Sequence, residues 1–60
     1  MKINIHNALT GKTRTFEGSE EELLSELTKV YKFVARYKPN GLDDVLRHID
    51  RQQFYFVEKI

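Results

Sequence analysis

The first residues of the chain alternate between apolar and polar side chains, and this period of two predicts a half-buried strand over residues 1–7. The apolar face of that strand carries Met1, Ile3 and Ile5. A second strand is predicted over residues 12–17, where threonine is frequent and Phe16 is the large apolar residue. Gly11 suits the positive-φ position of a tight loop between the two strands, which predicts a β-hairpin.

The position of Phe16 predicts the register of this hairpin. Phe16 must share the buried face of Ile3 and Ile5, because a shift of one residue would turn its ring to solvent. Pairing Ile3 with Phe16 satisfies this condition, and Ile5 then lies opposite Arg14. Arg14 is expected at the margin of the core, with its stem packed and its guanidinium in water.

The segment after the hairpin carries the signals of a helix start. Ser19 is a suitable N-cap, and Glu22, three residues later, completes a capping box. Acidic residues 20–22 lie where the helix dipole favours negative charge. Apolar residues at helical spacing predict one long amphipathic helix that ends near Tyr37, since Pro39 disfavours helical backbone at the residue before it. The apolar stripe consists of Leu23, Leu24, Leu27, Val30, Tyr31, Val34 and Tyr37.

A short second helix and a final strand complete the expected elements. The helix follows a turn at residues 39–41 and is predicted to end near Arg51; its apolar positions are Leu42, Val45, Leu46 and Ile49. The final strand, residues 53–60, is apolar on both faces. One face carries Phe54 and Phe56, and the other carries Tyr55 and Val57. A single layer of helices covers only one face of a sheet, so one of these pairs is expected to be exposed.

The hairpin resembles that of the ubiquitin-like β-grasp family. The resemblance rests on Met1, Ile3, the run Leu9-Thr10-Gly11-Lys12-Thr13, Thr15 and Glu17. It implies a central first strand and a last strand parallel to it, with pairing to the second strand as the alternative. The chain ends in Glu58-Lys59-Ile60 rather than Gly-Gly, so a conjugated modifier is not expected. The expected fold is a single α+β domain over residues 1–60 in the order ββααβ, with a small three-stranded mixed sheet packed on one long and one short helix.

Size and composition limit what the domain can be. A chain of 60 residues forms one domain and buries only about 60% of the surface of its unfolded form. Cysteine is absent, which excludes disulfides and thiolate metal ligands. The net charge of +1 gives little general attraction to nucleic acid or anionic membranes. The sequence carries no apolar run typical of a membrane span or signal peptide, so a cytoplasmic location is expected.

Side chains of the types that support catalysis or metal binding have simpler explanations in this sequence. The candidates are Ser19, His6, His48, Asp43 and Asp44. The serine is a helix cap, the two histidines lack the spacing of zinc ligands, and the adjacent aspartates fit the first turn of a helix. The Gly-Lys-Thr at residues 11–13 lacks the earlier glycine and the following helix of a phosphate loop. We therefore expect no enzyme activity, metal, cofactor or small-molecule substrate.

A small domain without catalytic groups but with an aromatic strand is typical of a protein-interaction module, such as an inhibitor or adaptor of phage or mobile-element type. The expected partner is a protein or a second copy of the chain. The predicted contact surface is the non-core face of the last strand and its neighbour, formed by Tyr55, Val57, His6 and Lys2. The alternative is a weak nucleic-acid-binding regulatory protein that uses a basic helix face, formed by Lys29, Lys32, Arg36, Arg47 and Arg51.

Overall fold

The computed structural model describes all of residues 1–60. Two strands form a hairpin, a helical region follows, and a third strand returns to the sheet. The elements are β1 (Lys2–Asn7), β2 (Lys12–Glu17), α1 (Glu20–Val30), a 3₁₀ helix (Lys32–Tyr37), α2 (Leu42–Asp50) and β3 (Tyr55–Lys59). The α+β class and the ββααβ order predicted from the sequence are confirmed.

The hairpin has the predicted register, and β1 is the central strand of a sheet in the order β2-β1-β3. Ile3 lies opposite Phe16. Ile5 lies opposite Arg14. The requirement that Phe16 be buried with the isoleucines of β1 was therefore sufficient to set the pairing.

The hairpin loop is held by the side chain of Asn7. Its oxygen Oδ1 accepts hydrogen bonds from the backbone N–H groups of Leu9 at 2.9 Å and Thr10 at 3.3 Å. Gly11 closes the loop at φ 73°, as predicted, in the left-handed region that glycine occupies without steric cost.

β3 runs antiparallel to β1, with Val57 opposite Ile5. The prediction of a parallel last strand, and with it of a mixed sheet, is wrong. That prediction assumed two helices between β2 and β3, whereas the structure has three helical segments. The additional segment lets the chain enter β3 beside the hairpin loop, where the Ala8 N–H donates to the Phe54 carbonyl at 2.8 Å. The parallel strand pair implied by the resemblance to the β-grasp family is not present.

α1 begins at the predicted capping box. The Ser19 hydroxyl oxygen accepts a hydrogen bond from the Glu22 N–H at 3.2 Å, and Glu22 Oε1 accepts one from the Ser19 N–H at 3.1 Å. Gly18 precedes the cap at φ 151°, and a Cβ there would lie 3.3 Å from Glu22 Cβ. The backbone at the entrance to α1 therefore favours glycine.

The predicted long helix is divided into two segments at Tyr31. The backbone at this residue, with φ −107° and ψ 75°, leaves the helical region after α1 ends at Val30. Residues 30–34 include two valines and two aromatic residues, types that lose side-chain freedom in a helix. Tyr31, at the break, and Val34, in the segment after it, are both buried. The prediction of one continuous helix is wrong, although the end of the helical region at Tyr37 is confirmed.

α2 has the short amphipathic form that the sequence predicts, and its first turn anchors neighbouring segments. Asp44 accepts a hydrogen bond from the Asn40 N–H at 3.1 Å and lies 3.6 Å from Arg47. Asp43 forms an ion pair of 2.8 Å with Lys59, which ties α2 to the end of β3. No helix of the structure combines the length and apolar character needed to cross a bilayer.

One hydrophobic core lies between the sheet and the helical layer. All four apolar positions predicted for the second helix belong to it, whereas Val30 and Tyr37 of the predicted stripe remain 38% and 55% exposed. The core residues are Ile3, Ile5, Phe16, Leu23, Leu27, Tyr31, Val34, Leu42, Val45, Leu46 and Ile49.

Tyr31 joins the helical layer to the sheet through edge-to-face aromatic contacts. Its ring centroid lies 5.2 Å from that of Tyr55, 6.2 Å from that of Phe16 and 6.3 Å from that of Phe33. Edge-to-face pairs at such distances add stabilisation beyond the burial of apolar area. This cluster holds β3 against the point where α1 ends.

Candidate interaction surface

The face of β3 that points away from the helices is not the one predicted. Residues directly opposite in antiparallel strands share a face of the sheet, and Val57 lies opposite buried Ile5. Tyr55, two residues earlier, points the same way, and both side chains pack against the core. The prediction that Tyr55 and Val57 form the non-core contact is therefore wrong. His6 and Lys2 alternate with the buried isoleucines of β1 and lie on the non-core face as predicted.

The surface that points away from the helices, named the open sheet face, consists of three rows of side chains. Each row runs across the strands, because the two registers of β1 place one residue of each neighbouring strand beside the same β1 residue. The first row is Thr13, His6 and Phe56, the second is Thr15, Asn4 and Glu58, and the third includes Glu17 and Lys2.

Contacts along the first two rows orient their side chains. The His6 Nδ1 atom lies 2.8 Å from the Thr13 hydroxyl oxygen. The His6 and Phe56 rings are stacked, with centroids 6.4 Å apart and planes inclined by 28°. In the second row the threonine hydroxyl donates to Asn4 Oδ1 at 2.7 Å, and Asn4 Nδ2 donates to Glu58 Oε1 at 3.5 Å. The face is thus ordered without a partner, which reduces the entropy lost on binding.

Phe56 is a large apolar side chain on the open sheet face. It is 57% exposed although it lies within a strand, and it borders a shallow depression that Asn4, His6, Thr13 and Glu58 also line. An exposed aromatic ring surrounded by polar groups is typical of an interface hot spot. Sequence reasoning missed Phe56 as a site residue because both faces of β3 carry aromatic rings. The register of β3 against β1 decides between them, because it places Val57 opposite buried Ile5 and Phe56 opposite His6.

The outer edge of β3 carries unpaired backbone groups. The Phe54 carbonyl accepts from the Ala8 N–H, and the Ile60 N–H donates to the Lys2 carbonyl at 3.0 Å. Backbone groups alternate in direction along a strand, so the even-numbered residues of β3 bond to β1 and the odd-numbered residues point outward. The outward N–H and C=O groups belong to Tyr55, Val57 and Lys59. Such an edge accepts an added strand from another chain.

The basic residues of the alternative surface are distributed over three helical segments. The break at Tyr31 removes the single long helix that would have aligned the first three of them. One of the five, Arg47, also forms an ion pair with Asp44 at 3.6 Å. All five are exposed: Lys29 in α1, Lys32 and Arg36 in the 3₁₀ helix, Arg47 in α2 and Arg51 at its C-cap.

The two histidines lie in separate aromatic contacts. His48 stacks on Tyr37, with ring centroids 4.3 Å apart, whereas His6 belongs to the open sheet face. No three His, Asp or Glu side chains lie together in an arrangement that could hold a metal ion.

Two exposed carboxyl groups have pKa values shifted by their own structural contacts. Hydrogen bonds from the backbone N–H and then from the hydroxyl of Ser19 lower the pKa of Glu22. The hydrogen bond from Lys59, and then its positive charge, lower the pKa of Asp43. Both carboxylates therefore act in the fold, one in the helix cap and the other in the contact between α2 and β3.

Comparison of the chain with protein families, with curated proteins and with solved structures gives no match. The resemblance of the hairpin to the β-grasp family therefore stays a prediction.

Proposed function

We propose that the chain is a non-enzymatic protein-interaction module, acting as an inhibitor or adaptor of a larger protein, and that it binds its partner through the open sheet face. The observation that carries this proposal is the exposure of Phe56 in an ordered polar surface. An aromatic side chain buries about 200 Å² when it is covered, and 57% of Phe56 is exposed. Covering that fraction removes about 115 Å² from water, which contributes about 3 kcal/mol.

The unpaired edge of β3 also supports the proposal that a partner binds at this surface. Its outward backbone groups lie beside Phe56, so a partner strand paired to this edge would place its side chains next to the exposed ring. Main-chain hydrogen bonds would supply part of the affinity, and a pocket for the Phe56 ring would supply specificity. The partner expected here is a protein with a free extended segment and an adjacent apolar pocket.

The test compares Phe56→Ser with Leu9→Ser, which removes an equally apolar side chain that is 76% exposed in the hairpin loop. Proteins captured by the wild-type chain from an extract of its source cells are identified, and the binding of each purified candidate is then measured by calorimetry. Phe56→Ser should raise the Kd about 30-fold, corresponding to the loss of about 2 kcal/mol at a hot spot. Leu9→Ser should leave the Kd unchanged, and circular dichroism should show that both variants are folded.

Equal affinities of the two folded variants would contradict the proposal. Retention on DNA that is lost in Lys32→Ala and Arg36→Ala, with no effect of Phe56→Ser, would favour the basic surface instead. Sedimentation equilibrium separates a second copy from a foreign partner, because self-association through this face gives a concentration-dependent mass that Phe56→Ser abolishes.

A further inference from the structure

A cleft of about 280 Å³ lies at the hairpin-loop end of the sheet, on the side that faces the helices. α1 ends beside it, and Val30 and Tyr31 form part of its lining. The hairpin and the start of β3 supply polar lining residues, which are Asn7, Thr10, Lys12, Arg14 and Tyr55. The cleft is therefore on the opposite side of the sheet from Phe56.

The neutral polar groups of this cleft are available chiefly as hydrogen-bond donors. Asn7 Oδ1 already accepts from two backbone N–H groups of the loop, so its amide NH₂ remains to donate. The Thr10 hydroxyl oxygen accepts from the Lys12 N–H at 3.3 Å, and its own proton remains free for an acceptor. Hydrogen bonds within the hairpin loop thus occupy the side-chain oxygens of Asn7 and Thr10 and leave the Asn7 amide N–H groups and the Thr10 hydroxyl proton available to a ligand.

The cleft also carries positive charge without a compensating carboxylate. No Asp or Glu lines it, and neither Lys12 nor Arg14 forms an ion pair in the structure. The guanidinium of Arg14 presents N–H groups in a planar fork that matches the oxygens of a phosphate or a carboxylate. Two cations in one concave surface favour an anionic ligand.

Tyr31 adds a buried phenol to this lining. The residue is only 7% exposed; its burial, followed by the neighbouring Tyr55, raises the pKa of its hydroxyl, and the positive charge of Arg14 offsets a smaller part of this shift. The Tyr31 hydroxyl therefore stays protonated at neutral pH and can donate a hydrogen bond.

We propose that this cleft binds a phosphate group, with Arg14 and Lys12 as the charged contacts and the Asn7 amide and Thr10 hydroxyl as neutral donors. A phosphate monoester carries about two negative charges near neutral pH, together with several acceptor oxygens, and this matches two cations among neutral donors. A single carboxylate would leave one cation uncompensated. The cleft lies on the other side of the sheet from Phe56, and it shares only Tyr55 with the proposed protein contact.

The test is a titration of the isotope-labelled protein with inorganic phosphate, followed by amide NMR shifts at constant ionic strength. The wild-type chain should show saturable shifts at amides of residues 7–14 and 30–31. Arg14→Gln and Lys12→Gln, each folded as judged by amide shift dispersion, should each weaken phosphate binding about tenfold. Lys32→Gln removes an exposed, unpaired charge elsewhere and should leave the affinity unchanged.

Titrations with adenosine monophosphate and acetate complete the design. Equal affinity for phosphate and the nucleotide would identify the phosphate group alone as the ligand, whereas tighter binding of the nucleotide would show that a larger phosphate ester is recognised. The proposal would be overturned in favour of non-specific attraction of anions by two results. One is amide shifts that do not saturate, and the other is a loss of phosphate affinity in Lys32→Gln equal to that in Arg14→Gln and Lys12→Gln. Equal saturation by acetate would overturn the assignment to phosphate.

Discussion

Replacing Ser19 by alanine should destabilise the domain although the side chain is exposed. The Ser19 hydroxyl accepts the hydrogen bond of the Glu22 N–H at 3.2 Å, one of the backbone donors that have no partner inside α1. Alanine cannot accept that bond, and caps of this kind contribute about 1 kcal/mol. The reciprocal bond from the Ser19 N–H to the Glu22 carboxylate is kept in the variant, so the loss should not greatly exceed that value.

Ser25 provides a matched control in the same helix. It lies within α1 and is exposed, and its side chain is not the acceptor of a helix cap. Ser25→Ala therefore exchanges a weaker helix former for the best one, and should stabilise the domain by about 0.5 kcal/mol. The same serine-to-alanine change is thus expected to lower the free energy of unfolding at residue 19 and to raise it at residue 25. The two effects should differ by about 1.5 kcal/mol.

Urea denaturation followed by circular dichroism measures this difference directly. A domain of this size has a small slope of unfolding free energy against urea, about 1 kcal/mol per molar. Ser19→Ala should then lower the midpoint by about 1 M, and in thermal unfolding it should lower the Tm by about 4–8 °C. Equal midpoints for Ser19→Ala and Ser25→Ala would refute the reasoning, since they would show that the capping box contributes nothing to stability.

Two further predictions concern the core and the contact between α2 and β3. Leu27→Ala removes a side chain with 0% exposure and should cost about 2–5 kcal/mol in chemical denaturation, whereas exposed Lys32→Ala should be nearly neutral; similar values for both would contradict the assigned core. The lowered pKa of Asp43 means that its pair with Lys59 stabilises the fold above the ordinary carboxyl pKa of about 4 and loses this effect as pH falls through the lowered value. Asp43→Asn should therefore lower the urea midpoint at pH 6 but not at a pH below the lowered pKa of Asp43. Lys59→Ala should return the NMR-measured pKa of Asp43 toward its ordinary value. An effect of Asp43→Asn that does not change with pH would contradict the ion-pair explanation.

Features encoded within a few neighbouring residues were predictable from the sequence. The capping box needs only Ser19 and Glu22, and the loop needs only a glycine at position 11. The register of the hairpin follows from the parity of Phe16, because a strand with one large apolar residue has one acceptable face. In each case a local physical requirement admits one solution, and the structure adopts it.

The face of β3 could not be predicted in this way, because its sequence satisfies either orientation. Tyr55 with Val57 and Phe54 with Phe56 are both suited to burial, so alternation gives no preference. The choice is made by the register of β3 against β1, which places Val57 opposite Ile5 and depends on where the chain leaves the helical region. Of the predicted site residues, His6 and Lys2 lie on the open sheet face. Tyr55 and Val57 pack against the core instead, and Phe56 is exposed in their place.

The break at Tyr31 accounts for the incorrect helix and the incorrect strand together. The prediction treated residues 20–37 as one helix, and the path through one long and one short helix led to a last strand parallel to the first. The structure instead ends α1 at Val30 and buries Tyr31 against Tyr55, with ring centroids 5.2 Å apart. This early end leaves the lining of the hairpin-end cleft to Tyr31 and the cations of β2. Tyr31 thus lies at the end of α1, packs against the core side of β3 and lines the cleft proposed to bind an anion.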